Sequence, residues 1–354
     1  MHEQIMNAPK GLAGVVVTRT GISDVRSEGE LILRGYPISE LVNLPFTEVA
    51  GLVVCGVIGN QLDAMLAESA NLTLLEQELV LALPRRLHPM RMLQGMVPLI
   101  GQSPAWGHGR LDQGIHIAAK LPALVATHLN GEPTTLDTEL DYVTRFLTAI
   151  ETVPEPLTCS AFNTAQILQL EHSLNAGTFA ARVVASTLAD VECAIAAGIG
   201  ALSGPLHGGA DQAALELVDG FRDEADIRAY VGEALASGTR VPGMGHREYR
   251  VRDPRAYYLE DFARQLSGNT AHAETFTRLN VLERCFREAM AERGKEVHAN
   301  VEFYKGLVYR LLGLPDEFFT SGFAMARVFG YIAHFAENAA DNRIFRPAAE
   351  YVGP

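Results

Sequence analysis

The sequence is short of cysteine, of positive charge and of strand-forming stretches, and each shortage excludes something. Its four cysteines, Cys55, Cys159, Cys193 and Cys285, are scattered, and none belongs to a CxxC pair. That argues against a zinc site or a disulfide framework and suits buried thiols in a reducing compartment. Lysine and arginine number 29 against 42 aspartates and glutamates, a net charge of −13. Such a chain is a poor general binder of nucleic acid or anionic membranes, so an anionic ligand needs a local basic patch. Residues 1–10 hold no apolar stretch of signal-peptide type. The longest uncharged run, 193–210, is broken by Gly198, Gly200, Gly204 and Pro205, and reads as core rather than membrane span. These absences lead us to expect a cytoplasmic protein. Internal repeats and low-complexity tracts are missing too. What remains is a chain of 354 residues, 48% hydrophobic and 20% charged, able to bury a large core in one domain or two.

Beyond residue 40 the helical period dominates, and the expected fold class is mostly α. The β-type runs at 15–18 and 31–33 predict a small hairpin. Val49, Leu52, Val53, Gly56 and Val57 share a helical face behind Thr47 as an expected N-cap. Further helices are expected over 76–83, 90–100, 111–128, 138–150 and 162–174, with breaks at Pro84 and around 101–104. The span 178–199 is dense in Ala, Val and Gly, with Arg182, Asp190 and Glu192 as its only charges, which suits helices packed on several sides. Residues 211–300 are richer in charge, and Ile227, Tyr230, Val231, Ala234 and Leu235 mark an amphipathic helix. That span predicts a smaller, more solvated unit between two apolar parts. The apolar character resumes over 307–314 and 323–335, with Pro315 as a stop and Thr320 as a cap.

Four groups of residues carry candidate chemistry. His172 and Asn175 are three apart on an expected helix end, where the amide can orient the imidazole or a ligand; taken alone, a satisfied core pair is the better reading. His207 lies in Gly204-Pro205-Leu206-His207-Gly208-Gly209-Ala210, where proline ends the helix and the glycines let a ligand approach backbone and ring. A structural loop with a satisfied histidine is the alternative there. His246, in Gly243-Met244-Gly245-His246, heads Arg247, Arg250, Arg252 and Arg255. Four arginines within ten residues of an acidic chain read as an anion site or as a solvated charge run, and the histidine and glycines favour the first. Last comes the C-terminal set. Glu302, in Asn300-Val301-Glu302-Phe303-Tyr304, has apolar neighbours whose desolvation suits a general base; a half-exposed helix-start carboxylate is the other reading. Arg327 on an apolar helix demands an internal carboxylate or a bound anion, and Arg346 follows in Asn342-Arg343-Ile344-Phe345-Arg346-Pro347.

In order and spacing these motifs resemble those of the citrate synthases. The matching motifs are Gly-Pro-Leu-His-Gly-Gly-Ala, then Gly-x-Gly-His-Arg-x-Tyr leading to Asp-Pro-Arg, then Asn-Val-acid-Phe-Tyr. The segment 29–41 and the closing Arg-Pro…Glu-Tyr-Val-Gly also match, and the similarity is weaker between 60 and 160. The resemblance implies an all-α, two-domain homodimer with a small N-terminal β hairpin. Its large domain would comprise 1–209 and 314–354, and a smaller domain, 210–313, would close over the substrates. It implies that His172, His246, Arg255, Arg327 and Arg346 hold oxaloacetate, with Arg346 supplied by the partner subunit. His207 would donate to the thioester carbonyl of acetyl-CoA, and Glu302 would remove the methyl proton. Arg250, Arg247 and Lys295 would face the phosphates of coenzyme A, which enters as a co-substrate; no metal and no other cofactor is implied.

Two departures stand out. Most of the family has Asp where this chain has Glu302, and the extra methylene moves the carboxylate by about 1 Å. The family usually has Ser at the position of Gly177, where its hydroxyl orients the histidine at 207, so water or another group must replace it. The expected activity is that of a citrate synthase, in a dimer rather than a large hexamer. One alternative is 2-methylcitrate synthase, with Gly177 and Met244 making room for the methyl of propionyl-CoA. Another is a non-catalytic paralogue that binds oxaloacetate or CoA.

Overall fold

The computed structural model describes residues 8–100 and 110–354. Its small sheet forms where a tight turn permits: Ser23–Arg26 (β1) pairs antiparallel with Glu30–Leu33 (β2), and β2 with Tyr36–Pro37 (β3). Ile22, Leu31 and Leu33 point into the core. The expected strand at 15–18 does not form. Val16 is 87% exposed, and Thr18 serves instead as an acceptor for the Arg182 guanidinium at 3.0 Å. The nearer run, across a three-residue turn closed at Gly29, has the shorter loop to close and takes β2 first.

Sixteen helices follow among the described residues. The first group is Ile38–Leu41 (α1), Phe46–Cys55 (α2), Gln61–Glu68 (α3), Leu74–Leu81 (α4), Pro89–Ile100 (α5), Arg110–Asn130 (α6), Tyr142–Ala149 (α7) and Pro156–Gln169 (α8). Ala176–Ser186 (α9) and Val191–Leu202 (α10) divide the small-residue span. Then come Ala210–Asp219 (α11), Glu224–Ser237 (α12), Pro254–Ser267 (α13), Ala273–Ala291 (α14), Val301–Leu311 (α15) and Phe319–Ala340 (α16). The break expected around 101–104 lies outside the described residues.

Several expected starts move, and each move has a partner that explains it. Thr47 is not the cap of α2; Pro45 precedes the helix, and the Phe46 N–H is satisfied by Asn163 Oδ1 at 2.8 Å from α8. The helix expected from 76 begins at Leu74, because Thr73 and Glu76 form a reciprocal capping box. Asp141 fixes the start of α7 by accepting from the Val143 and Thr144 N–H groups. Thr320 caps nothing: it lies inside α16, and its hydroxyl donates to the Gly208 carbonyl at 2.8 Å, tying down the loop that holds His207.

Helix α16 is the axis of the molecule. Every residue from Phe319 to Phe335 is buried, and α2, α5, α6, α8, α9 and α10 all pack against it. A helix apolar all round belongs inside a protein, and among the described residues none is long and apolar enough to cross a membrane. Close approach depends on glycine: a Cβ at Gly198 of α10 would lie 2.6 Å from the Tyr331 ring of α16. On the other side, α11 to α15 pack on one another, and α13 and α15 also touch α8. Gly198→Ala is therefore expected to cost about 1–3 kcal/mol by overpacking. Urea unfolding would show this as a lower midpoint at unchanged slope; an unchanged midpoint would mean that Tyr331 is not confined there.

Candidate active site

The chain between α8 and α9 carries His172, and buried polar contacts fix it. Helix α8 stops at Gln169, five residues before the expected end, so His172 and Asn175 do not share a helix face. Ser173 adopts φ +49°, and its N–H donates to Ser23 Oγ of β1 at 3.0 Å. Ser23 donates in turn to Glu171 Oε1 at 3.0 Å, as does His334 Nε2. Arg182 can only donate, so its 2.9 Å contact makes His334 Nδ1 an acceptor and leaves the ring proton on Nε2. His172 itself is buried, 3.1 Å from the Tyr249 hydroxyl, with its ring edge-on to His246 at 5.3 Å.

His246 and Glu302 are joined through backbone. Gly243 and Gly245, at φ +71° and +84°, turn the chain so that it runs antiparallel to 298–300. The Gly245 N–H donates to the His298 carbonyl at 2.8 Å and the Asn300 N–H to the Gly243 carbonyl at 2.9 Å. A Cβ at Gly243 would meet the Phe303 Cα at 3.0 Å, so only glycine allows this approach. Asn300 then caps α15, accepting from the Glu302 N–H at 2.9 Å. Asp253, which caps α13 in front of Pro254, completes the link. Its carboxylate takes Arg255 Nε at 2.9 Å and Nη2 at 2.8 Å, and also accepts from the Val301 N–H at 3.0 Å. Two backbone N–H groups, from Glu248 and Tyr249, donate to His246 Nδ1 at 3.0 and 3.1 Å. These outweigh the 3.4 Å approach of Arg255 to Nε2, so Nε2 carries the proton and is the donor of this site.

His207 lies in the loop before α11. Its Nε2 is 3.1 Å from Asn175 Oδ1 and 3.3 Å from the Gly177 N–H at the start of α9. Asn175 thus lies against His207 rather than His172; its Oδ1 accepts when Nε2 carries the ring proton, whereas the Gly177 N–H donates when the proton is on Nδ1, the tautomer that leaves His207 a free donor. The space beside Gly177 is occupied: a Cβ there would lie 2.2 Å from the Tyr331 hydroxyl. Gly177 therefore does not widen the site as expected. Phe323 joins the parts, 6.5 Å from His207, 4.8 Å from Arg327 Cζ and 4.3 Å from Lys305 Nζ.

The arginines fall into three kinds. Arg255 and Arg327 are buried in the site. Arg327 Nε donates to the Gln169 carbonyl at 2.6 Å and forms no ion pair among the described residues; burial pushes its guanidinium down, opposed mainly by Glu171. Arg252 leaves the expected anion patch, since Glu260 and Glu283 hold it at 2.7 and 3.1 Å. Arg247, Arg250 and Lys295 are exposed, and Arg247 donates to the Gly11 carbonyl at 2.9 Å. Arg346 is exposed in the extended chain after α16, where its one hydrogen bond is to the Pro347 carbonyl at 3.5 Å. The structure thus brings together His172, His246, Arg255, Glu302, Arg327 and His207 and leaves Arg346 apart.

Burial sets the electrostatics. It pushes His207 and His246 down to about 4, helped by Arg327 and Arg255 respectively, and holds His172 well below the usual histidine range. Glu302 moves the other way. Burial raises it to about 7, against the pull of Lys305 at 2.9 Å, and its Oε2 makes no hydrogen bond to the described residues. Sequence reasoning missed Lys305 and Asp211 beside it, and Glu171 behind His172. Asp253 was given no role either, although an aspartate before proline at a helix start was a signal that could have found it.

Three neutral histidines, two buried arginines and an unpaired carboxylate oxygen thus share one region, a grouping of perturbed titratable residues of the kind found at functional sites. Comparison with known proteins makes the assignment specific. The family profile "Citrate synthase, C-terminal domain" matches residues 11–348. A citrate synthase of Synechocystis sp. is 36% identical over 97% of this chain and 90% of its own, and a 2-methylcitrate synthase of Shewanella oneidensis 33% identical over 97% and 94%. The structure of the Thermoplasma acidophilum citrate synthase, in ternary complex with carboxymethyl coenzyme A and oxaloacetate, superposes with a TM-score of 0.90 at 27% identity, covering 98% of this chain and 96% of that one. The chain belongs to the citrate synthase family.

The opposed shifts predict how stability responds to acid. Histidines held neutral leave stability intact above pH 6.5 and lower it as pH falls toward 4, where the unfolded chain alone takes up protons. Glu302 does the reverse, since the folded state binds its proton first, between about 7 and the usual carboxylate range. Three groups against one give a net loss below pH 6.5. Glu302→Gln is expected to melt above the parent at pH 8 and to converge with it near pH 5. Equal melting temperatures at both values would show that Glu302 is not raised.

Proposed function

We propose that this enzyme condenses acetyl-CoA with oxaloacetate and water to give citrate and CoA through a citryl-CoA intermediate. The observation that carries the reading is Glu302: a buried carboxylate, raised to about 7, with Oε2 unpaired beside neutral histidines and buried arginines. A thioester methyl is a very weak acid, so its deprotonation needs a desolvated base and a donor on the developing enolate oxygen. Glu302 takes the proton and His207 supplies the donor. Oxaloacetate, a dianion with a ketone, sits between Arg255, Arg327 and His172, and the Nε2–H of His246 polarises its ketone. The enolate carbon attacks that ketone, and water then cleaves the thioester to release CoA. Closure of 210–313 over the rest keeps water out until the new carbon–carbon bond exists. The exposed Arg250, Arg247 and Lys295 face the CoA phosphates. Apart from this thioester co-substrate no cofactor enters the reading. The four free cysteines suit a reducing cytoplasm.

Acetyl-CoA is favoured over propionyl-CoA because Tyr331 fills the space that Gly177 leaves. CoA-thiol release by the purified protein with oxaloacetate and each acyl-CoA tests both points. Rapid release with acetyl-CoA, falling about 10²–10⁴-fold in Glu302→Gln, is expected. A higher kcat/KM with propionyl-CoA would move the assignment to 2-methylcitrate. No release with either, while oxaloacetate still raises the melting temperature, would leave a binding paralogue.

Arg346 completes the site from a second copy of the chain in a homodimer, which suits its exposed position after α16. Co-expression of Arg346→Ala with Glu302→Gln tests this, because a mixed dimer of two-fold symmetry then keeps one intact site. Activity above that of either variant alone is expected; none would place Arg346 in its own subunit's site, and an Arg346→Ala protein as active as the parent would place it outside catalysis.

A further inference from the structure

Beneath Glu302 lies a group that the reaction as described does not use. Lys305 is fully buried, its Nζ 2.9 Å from Glu302 Oε1 and 3.0 Å from Asp211 Oδ2. Positions 302 and 305 share a face of α15, so the helix itself delivers the pair. Asp211 comes from the first turn of α11, four residues after His207, and is also fully buried. Gly306 permits the approach, since a Cβ there would meet the Asp211 carbonyl oxygen at 2.9 Å. Asp211 Oδ1 accepts from the Gln212 N–H at 2.8 Å, which leaves Oδ2 to the ammonium. The ring centroids of Phe323 and Tyr309 stand 4.3 and 6.0 Å from Nζ.

We propose that Lys305 is a positioning residue for proton abstraction, its one buried ammonium shared between Glu302 and Asp211. The inference rests on the reading of Glu302 as the base. The ammonium pins Oε1, so Oε2 is the oxygen left to take the substrate proton. It also favours the ionised form that a base requires, against a burial that opposes it. Asp211 limits that effect by taking part of the same charge, and Glu302 keeps its basicity. A lone carboxylate–lysine pair would make the carboxylate a weak base; a buried carboxylate with no cation would stay protonated at neutral pH. Sharing places Glu302 between these limits.

The other charged and titratable groups around the pair are few. They are Tyr309 on α15, Arg255 on α13, Arg327 on α16 and His207 before α11. None of them forms an ion pair with Glu302 among the described residues, so Lys305 is its direct counter-charge.

The experiment is the pH profile of kcat at saturating oxaloacetate and acetyl-CoA for the parent, Lys305→Met and Asp211→Asn. Lys305→Met is expected to raise the acid-limb midpoint by at least about one unit, cutting kcat at pH 7 roughly fivefold or more and recovering it toward pH 9. Asp211→Asn is expected to move the limb down, because the ammonium then serves Glu302 alone. The KM for oxaloacetate should stay within about twofold in both, since neither residue touches that substrate. Limbs that stay in place while kcat falls uniformly would overturn the inference, whatever the loss. Should Lys305→Met fail to show an oxaloacetate-induced rise in melting temperature, Asp211→Asn decides by itself: a downward shift supports sharing and an unmoved limb refutes it. A parent that releases no CoA thiol overturns the synthase reading and this inference together, whereas an active parent with unmoved limbs overturns the inference alone.

Discussion

Asp253 is the contact on which the geometry of the site depends. One carboxylate clamps the Arg255 guanidinium with both oxygens and takes the first N–H of α15, one residue before Glu302. Burial alone would push such a group up, but the Arg255 charge, the hydrogen bonds from Arg255 and the nearby His246 together outweigh it and hold Asp253 below its usual range. The pair thus stays ionised inside the protein, where breaking it would leave an uncompensated charge worth several kcal/mol. Through it Arg255 and Glu302, the proposed anion-holder and base, are placed relative to each other by covalent and hydrogen-bonded geometry rather than by flexible side chains.

The rest of the site shows how the chain tolerates so much buried polarity. Its histidines are kept neutral, so they cost hydrogen bonds rather than charge, and each bond fixes a ring orientation. The network from Arg182 through His334 to Glu171 links its members in sequence and ends beside His172, leaving Arg182 Nε and Glu171 Oε2 without hydrogen bonds to the described residues. Unsatisfied buried atoms are scattered among the described residues, Tyr142 Oη and Gln166 Oε1 among them, but one of them, Glu302 Oε2, lies where a substrate is proposed to sit. An unpaired buried carboxylate oxygen is expensive, and at Glu302 a ligand would supply the partner.

The helical class was legible in the sequence because its period persists over long apolar stretches, and the motif residues were legible because glycine, proline and histidine occur together in unusual runs. What was not legible depended on contacts distant in sequence. Nothing local reveals that Asn163 would cap α2 in place of Thr47, that Thr320 would hold the Gly208 carbonyl, or that Glu260 and Glu283 would withdraw Arg252 from the anion patch. The end of α8 was missed for the same reason, since Ser173 is drawn into φ +49° by Ser23, 150 residues away. Gly177 looked like an opening and is instead the notch that Tyr331 fills. Tertiary packing decided each case against local pattern.

The central claim is that a carboxyl at position 302 is still titrating near neutral pH inside the folded protein. Infrared difference spectroscopy of the parent against Glu302→Gln, followed from pH 5 to 9, measures this directly through the protonated carboxyl stretch. The account predicts a band present at pH 5 that disappears with a midpoint near 7. A carboxyl already fully ionised at pH 5 would contradict it.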